Sequence, residues 1–400
     1  MTLPLDHLTL ILGGILLLLA VITPLFSTFL RKPKIVELEG TPDTVPGFSI
    51  VMVAHDNAAE LDANLRKYLS QKYNDFQVIV VVESADHETE DVLERYLNEY
   101  ASPNANLGKS ATSGESVGLP HSKQKPPRLL TTFVPSTSHY VSRHKLALTL
   151  GVKAACYEWI VMTEPYCQPA DDCWLEALSR YTDDADMLCC YTSLRGEAFS
   201  GFDTFLHLQT FCRNQSSPWR YDGKCLAFRK ELFMSANGFL RNLKFLRGEY
   251  DFLTNEFGGD NRVMITNEPA TITFITSSGL SDHRADQLYY METRRHLERT
   301  LRPRLSFLAD QTTLHLNFLF DILIAAYALS ESNWVLCGAA LMSLVLSTSI
   351  RTALVCRSAN ALGEHLSFFK APLYELASIW HILMLRARYA LSNKADYIRR

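Results

Sequence analysis

Short apolar segments alternate with amphipathic ones in the first half of this chain, and this alternation constrains the fold more than any other feature. Four runs are almost continuously apolar, as strands buried on both faces of a parallel sheet are: 48–53, 76–82, 129–134 and 159–163. Between them, apolar residues recur at helical spacing in three segments: 58–69, 89–100 and 143–155. Strands that alternate with helices predict an open, doubly wound α/β sheet of the nucleotide-binding (Rossmann) type.

The usual phosphate-binding loops are missing from this sheet. No Gly-x-Gly-x-x-Gly follows the first predicted strand, and no Gly-Lys-Ser/Thr loop occurs, which argues against a dinucleotide cofactor or a P-loop ligand. The formal net charge is -4, so nothing points to nucleic acid as a partner. The nine cysteines include no Cys-x-x-Cys pair. Disulfide bonds and a zinc cluster remain alternative interpretations of these cysteines. Their scattered positions favour reduced thiols in the core of a cytosolic domain.

The N-terminal region contains an apolar stretch long enough to cross a membrane. Leu8 to Leu30 is nearly all apolar, and about 20 residues at roughly 1.5 Å each span a bilayer core. A cleaved signal peptide would carry positive charge before this stretch. Here Asp6 precedes it, and Arg31 and Lys32 follow it. These flanks favour an uncleaved anchor whose following domain lies in the cytosol.

The C-terminal region becomes apolar again after residue 310. Leu314 to Leu329 and Trp334 to Val355 are two further predicted crossings, joined by a short turn without Lys or Arg. Leu366 to Leu385 contains charged residues and leads into a basic tail, so we expect it to lie in the cytosolic interface among membrane lipids. Asp321 falls inside a predicted crossing, where a charge is costly, and should face protein or water.

Three domains follow from this division. Residues 1–32 form the predicted transmembrane anchor, 45–300 the cytosolic domain, and 301–400 a membrane region with two crossings and an interfacial helix. The sequence therefore predicts an integral protein of the cell (inner) membrane whose main domain is cytosolic.

Several segments, in their order and spacing, resemble a membrane-anchored family 2 glycosyltransferase. The first two resemble the opening strands of that family, and the third resembles its Gly-Lys-type helix. The fourth resembles its G-x-N-x-A-x-R segment with the G-G-F end, the fifth its G-E-D element and the sixth its Q-x-x-R-W motif. In chain order the segments are 49–58, 76–83, 144–151, 223–230 with 237–239, 248–251 and 292–296. The resemblance covers roughly residues 45 to 300 and implies a GT-A-like, inverting enzyme.

The segment from Trp159 to Pro169 resembles the metal-binding strand of the same family, with one departure. That strand usually ends in Thr-Asp-x-Asp, whereas here it ends in Thr163-Glu164-Pro165-Tyr166. An acidic residue at the carboxyl end of a strand faces the ligand crevice in an open α/β sheet. Glu164 can replace the first carboxylate as a ligand of Mg²⁺ or Mn²⁺, but Tyr166 cannot replace the second.

The resemblance also implies roles for further residues. Asp251 is the predicted catalytic base, with Glu249 as the alternative, because the family places its base just after a Gly-Glu pair and Tyr250 stands there. The predicted donor-binding residues are His55, Glu83, Lys145 and Arg295. Each also has an ordinary explanation, such as a solvated strand-end acid, a helix N-terminal charge or a cationic helix on anionic lipid.

These features predict transfer of a sugar from a nucleotide-sugar donor to a saccharide or lipid-linked acceptor during surface polysaccharide synthesis. The altered metal strand supports an alternative: a catalytically degenerate member that binds sugar nucleotide or scaffolds a biosynthetic complex. A transporter is less consistent with the sequence, since alternating access uses more helices than the three predicted crossings.

Overall fold

The chain forms two compact units. A computed structural model describes residues 6–33, 45–82, 87–100, 126–135, 142–215, 219–258, 262–298, 301–393 and 397. One unit, here called the sheet unit, comprises 36–196, 223–293 and 393–400; the other, the helical unit, comprises 1–35, 197–222 and 294–392. The predicted domain boundaries at 32, 45, 300 and 301 stay predictions. The compact units group the chain differently, because 197–222 belongs with the terminal helices.

The sheet unit contains all the strands of the described chain. They are β1 (Phe48–Ala54), β2 (Phe76–Val82), β3 (Leu129–Phe133), β4 (Trp159–Thr163), β5 (Cys167–Pro169), β6 (Met187–Cys190), β7 (Thr192–Leu194), β8 (Cys225–Arg229), β9 (Val263–Thr266) and β10 (Thr273–Ile275).

The helical segments divide between the two units. In chain order the α-helices are α1 (His7–Ile22), α2 (Ala58–Leu69), α3 (His87–Tyr100), α4 (Arg143–Ala154), α5 (Trp174–Ser179), α6 (Gly201–Asn214), α7 (Lys230–Ser235), α8 (Glu249–Phe257), α9 (Leu280–Thr293), α10 (Leu301–Ser330), α11 (Trp334–Ala361) and α12 (Ala371–Leu391). Short 3₁₀ turns cover Thr23–Phe26, Leu240–Asn242, Pro269–Thr271 and Ser277–Gly279.

The central sheet has seven strands in the order β3-β2-β1-β4-β8-β6-β9. Strands β1 to β4 are mutually parallel, whereas β8 pairs antiparallel with both β4 and β6. The predicted α/β fold class is therefore confirmed, with a mixed rather than wholly parallel sheet. Chain order reverses between β1 and β4, and ligands of open α/β sheets bind outside the strand ends at such a switch point.

Close packing of α4 against the sheet explains a glycine in the middle of that helix. Every residue of β1 and β2 is buried, as their continuous apolar composition predicts. A Cβ atom added to Gly151 of α4 would lie 2.5 Å from Cγ1 of Val51 and 3.1 Å from Cγ2 of Val81. Only glycine therefore lets the helix approach these two strands so closely.

A second sheet of three strands, in the order β5-β10-β7, lies in the same unit. Thr276, which follows β10, donates from its amide (3.1 Å) and its hydroxyl (2.8 Å) to the carbonyl of Tyr166. These bonds fix the segment that leads into α9 beside the residues that follow β4.

Three helices of the helical unit are long and apolar enough to cross a membrane. The segments are His7–Phe26, Pro303–Ser330 and Trp334–Ala361, which correspond to the three predicted crossings. Among the described residues, α12 is not one of these candidates, and the interfacial position of Leu366 to Leu385 stays a prediction. Asp321 is buried and accepts a hydrogen bond from Asn317 (3.0 Å), so it faces protein as expected.

A buried ion cluster joins the helices of this unit. The guanidinium of Arg351 in α11 donates to Asp310 of α10 (2.6 Å), to Glu375 of α12 (2.8 Å) and to the carbonyl of Thr23 (3.3 Å). All three charged side chains are buried. Removing one member of such a cluster leaves an uncompensated buried charge, so the three helices depend on one another.

Candidate active site

The carboxylate of Glu164 lies at the switch point of the central sheet. It directly follows β4, the strand that borders β1, and its side chain is buried. Its Oε1 accepts a hydrogen bond from the Tyr250 hydroxyl (3.0 Å) and lies 3.8 Å from Nε2 of His144. Burial alone would raise the pKa of Glu164, but His144, Lys224 and Arg247 hold that pKa below its ordinary value.

A lysine reaches the same place from the neighbouring antiparallel strand. Thr163 of β4 pairs with Cys225 of β8, so Lys224, one residue before Cys225, comes beside Glu164. The buried ammonium of Lys224 forms an ion pair with Asp286 and lies 4.9 Å from the centroid of the Tyr250 ring. Burial opposes its charge, but Asp286 and Glu164 raise the pKa of Lys224 above its ordinary value.

Helix α9 brings two carboxylates to these cations from one of its faces. Asp282 and Asp286 are four residues apart, hence neighbours on the helix surface. Asp286 contacts Lys224, and Asp282 lies 3.5 Å from the guanidinium of Arg247. Burial would raise the pKa of Asp286, yet Lys224 and Arg247 hold it below its ordinary value. The four side chains therefore form two ion pairs next to Glu164.

The start of α8 places the predicted base residues. Gly248 caps this helix with a φ of +94°, a left-handed conformation that glycine adopts without strain. Glu249 and Asp251 follow in the first turn, and both are buried. Oε1 of Glu249 has no hydrogen-bond partner among the described residues. Burial, and then the charge of Glu164, raise the pKa of Tyr250 well above its ordinary value, so its phenol is not a base.

Lys145 supports the segment that leads into α8. It lies in the first turn of α4 and has no exposed surface. Its ammonium donates to the carbonyls of Asn242 (2.9 Å), Phe245 (2.7 Å) and Arg247 (3.2 Å). Burial lowers the pKa of Lys145 to about 8. These contacts give Lys145 a role in positioning Arg247 and α8, while its predicted part in donor binding stays a prediction.

The other predicted donor-binding residues are His55, Glu83 and Arg295. His55 follows β1 and is exposed, with Nε2 3.6 Å from the carboxylate of Asp56. Glu83 lies outside the described residues. Arg295 is an exposed residue of the helical unit, and its guanidinium lies 5.5 Å from the centroid of the Tyr389 ring. Of the predicted site residues that the structure describes, all but Arg295 belong to the sheet unit: His55, Lys145, Glu164, Glu249 and Asp251. The segment before α8 links Lys145 to Arg247 and to the first turn of α8.

Sequence reasoning missed the roles of Lys224, Arg247, Asp282 and Asp286. Lys224 could be found only from the register of an antiparallel pair that the predicted strands did not include. The four-residue spacing of Asp282 and Asp286 was a visible signal, but nothing in the sequence identified the cations that they face.

The residues around Glu164 do not fit a divalent ion held by two carboxylates. The second position of the usual motif carries Tyr166, whose buried hydroxyl has no hydrogen-bond partner in the described part of the chain. Burial and the charge of Glu164 raise the pKa of that phenol far above its ordinary value, so it stays neutral. Among the described residues, one group of three side chains could share a cation, and it consists of Asp171, Asp172 and Cys173. Glu164 is not part of that group.

Comparison with known proteins identifies the fold. No model of a known protein family and no curated protein sequence matches the chain. Among solved structures, the chain is similar to the mannosyltransferase PcManGT from Pyrobaculum calidifontis in complex with GDP-Man and Mn²⁺. The TM-score is 0.50 at 16% identity, over 88% of this chain and 98% of that one. The structure therefore has a glycosyltransferase fold.

Two further similarities are weaker. Residues 1–349 of S. aureus TarS match with a TM-score of 0.40 at 14% identity, over 84% of this chain and 92% of that one. The same protein in complex with UDP-GlcNAc gives a TM-score of 0.39 at 13% identity over the same shares. The fold assignment rests on the mannosyltransferase.

Proposed function

We propose that this protein is a membrane-anchored, inverting glycosyltransferase of the family 2, GT-A type. Its donor is a nucleotide sugar, and its acceptor is a saccharide or a lipid-linked glycan in surface polysaccharide synthesis. The observation that carries the proposal is the placement of Glu164 at the switch point of a glycosyltransferase fold, hydrogen-bonded to Tyr250 in the first turn of α8. That turn also holds the two candidate bases.

The chemistry assigned to this site is a single displacement. Asp251, or alternatively Glu249, takes the proton from the acceptor hydroxyl, and the hydroxyl oxygen bonds to the anomeric carbon. The bond between that carbon and the diphosphate oxygen breaks, and the nucleoside diphosphate leaves with the electron pair. Both carboxylates are buried in the first turn of α8, where bulk water is largely excluded.

The protein is proposed to work at the inner membrane with its sheet unit in the cytosol. Three helices have the length and composition of membrane spans. Arg31 and Lys32, which follow the first of them, are exposed. Cytosolic flanks carry such positive charges, which supports this orientation.

A catalytically degenerate protein is the second candidate, and a specific observation favours it. Two tyrosines, Tyr166 and Tyr250, stand where the family usually has carboxylates, and both phenols are buried and neutral. Such a protein would bind sugar nucleotide, or scaffold a biosynthetic complex, without turnover.

Turnover by the full-length protein in detergent separates the two candidates. The purified protein is incubated with a panel of nucleotide sugars and saccharide or lipid-linked acceptors, and release of nucleoside diphosphate is measured. Product from one donor supports the enzyme. The control is the double variant Glu249→Gln, Asp251→Asn, which lacks both candidate bases. Saturable donor binding, with release of nucleoside diphosphate no faster than in this variant, would support the degenerate protein instead.

A further inference from the structure

The position of Lys224 gives it the electrostatic surroundings of a metal ion. Its ammonium is buried, forms an ion pair with Asp286 and lies 4.9 Å from the centroid of the Tyr250 ring, and the register of β8 against β4 sets Lys224 beside Glu164. In this part of the described chain, the second carboxylate needed for a divalent ion is replaced by the phenol of Tyr166. A fixed cation from the protein thus lies beside Glu164, the one carboxylate that the altered strand keeps.

Arg247 supplies a second cation next to the first. Its side chain is 28% exposed, and its guanidinium faces Asp282. The backbone carbonyl of Arg247 is held by the buried ammonium of Lys145, which fixes the chain at this point. Because the backbone of Arg247 is fixed and its guanidinium is already placed against a carboxylate, this side chain suits two-point binding of phosphate oxygens.

The two carboxylates of α9 are the present partners of Lys224 and Arg247, and a bound anion would replace them. Asp282 and Asp286 are 37% and 27% exposed, whereas the Lys224 side chain is only 8% exposed. The carboxylates therefore form the outer, solvent-facing half of both ion pairs. A diphosphate that enters from solvent meets them first and can take over their cations.

We propose that Lys224 and Arg247 bind the diphosphate of the nucleotide donor, and the departing nucleoside diphosphate, in place of a divalent ion. Asp282 and Asp286 occupy these cations when no donor is bound. This inference rests on the proposed function, because it concerns the donor of that same site. It replaces the metal role expected for Glu164, which instead accepts the hydrogen bond of the Tyr250 hydroxyl.

Titration calorimetry of the full-length protein in detergent tests the inference. UDP, GDP, CDP, ADP and dTDP are titrated in the presence of a chelator and again with Mn²⁺. We expect one of them to bind in chelator, with an affinity that Mn²⁺ changes by less than about threefold, a difference well below one charge-assisted hydrogen bond.

Variants assign that binding to the two cations. Lys224→Met leaves the carboxylate of Asp286 without its partner, so the double variant Lys224→Met, Asp286→Asn, which also removes that charge, is tested beside it. We expect the double variant and Arg247→Gln each to weaken binding by about tenfold or more. Arg241→Gln is the matched control, because Arg241 is an exposed cation paired with Glu256, and it should bind normally.

Two other outcomes would overturn the inference in distinguishable ways. Binding that is absent in chelator, appears with Mn²⁺ and is lost in Glu164→Gln would restore the metal site and leave the proposed function standing. Absence of binding for every nucleotide under both conditions would remove the proposed function, and this inference with it.

Discussion

At the scale of single residues, Glu164 is held as a buried carboxylate by groups from distant parts of the chain. Its position after an apolar strand was visible in the sequence, and the structure puts it at the switch point. The residues that surround it were not predictable in the same way. Lys224 is 60 positions away in sequence and arrives through the register of β8 against β4. Side-chain partners that depend on antiparallel register leave no periodic signal in the sequence.

The base assignment is testable by a substitution that preserves shape. Asp251→Asn removes the basicity of the carboxylate, so turnover should fall by on the order of 10² or more, while donor binding stays nearly intact. Initial rates at saturating donor give the first quantity, and calorimetric titration gives the second.

Glu249 provides the matched comparison, since it lies in the same helical turn and is equally buried. If Glu249→Gln abolishes turnover and Asp251→Asn does not, Glu249 is the base. Normal turnover in both variants would show that the likeness of this turn to the family element is only structural.

The lowered pKa of Glu164 predicts a dependence of stability on pH. A carboxyl group whose folded pKa lies below its ordinary value of 4.5 contributes stability that is fully present above that value and is lost as pH falls through the folded pKa. Glu164→Gln should therefore lower the melting temperature near neutral pH, and the deficit should shrink below about pH 4.5. Tryptophan fluorescence melts in detergent over this range measure it.

Glu256 is the control for this effect, because burial raises its pKa instead. The Glu256→Gln variant should show no deficit that shrinks in acid. A Glu164→Gln deficit of the same size at every pH would mean that the lost carboxylate matters only through packing.

At the scale of secondary structure, the strands up to residue 163 were predictable, and the strands after it were not. The predicted strand 76–82 and helix 58–69 agree with β2 and α2 at both ends, because continuous apolar runs and helical spacing are local signals. The short strands β5, β6 and β7 have three or four residues each and give no such pattern. Their pairing depends on tertiary contacts, so the mixed character of the sheet emerged only from the structure.

The contact between α4 and the sheet makes Gly151 sensitive to one added methyl group. In Gly151→Ala the new Cβ would overlap Val51, and the helix or strand must shift. We expect a loss of about 1–3 kcal/mol in the free energy of unfolding, seen as a lower melting temperature. Gly338→Ala in α11 is the control, because nothing lies within 4 Å of its added Cβ. Equal melting temperatures for the two variants would contradict this packing.

At the scale of the whole molecule, composition predicted the candidate membrane spans but not the division of the chain into two compact units. The three candidate spans follow directly from length and hydropathy. The assignment of 197–222 to the helical unit does not, because that segment lies in the middle of the stretch predicted to form the cytosolic domain. Arg351 is a second example. It lies within an apolar segment, and its pairing with Asp310 and Glu375, 41 and 24 positions away, follows from tertiary packing rather than from composition.

The topology predicts that the two chain termini lie on opposite sides of the membrane. The described residues contain three candidate spans, an odd number of crossings between residue 1 and residue 400. Fusing a reporter that is active on only one side of the membrane to each end of the chain tests where the two termini lie. Two reporters on the same side would require a fourth crossing, for which the Leu366 to Leu385 segment is the candidate.

The membership of α6 in the helical unit has a consequence for anyone producing this protein. Phe205 of α6 is fully buried, with its ring 5.5 Å from that of Phe29 and 5.9 Å from that of Tyr374. A shortened gene that encodes only residues 45–300 would still carry α6 but neither of these rings. The freed apolar face would favour aggregation during expression. Detergent extraction of the entire polypeptide is therefore the sound route to a sample fit for enzymology, and insolubility of a trimmed version would say nothing about its catalytic competence.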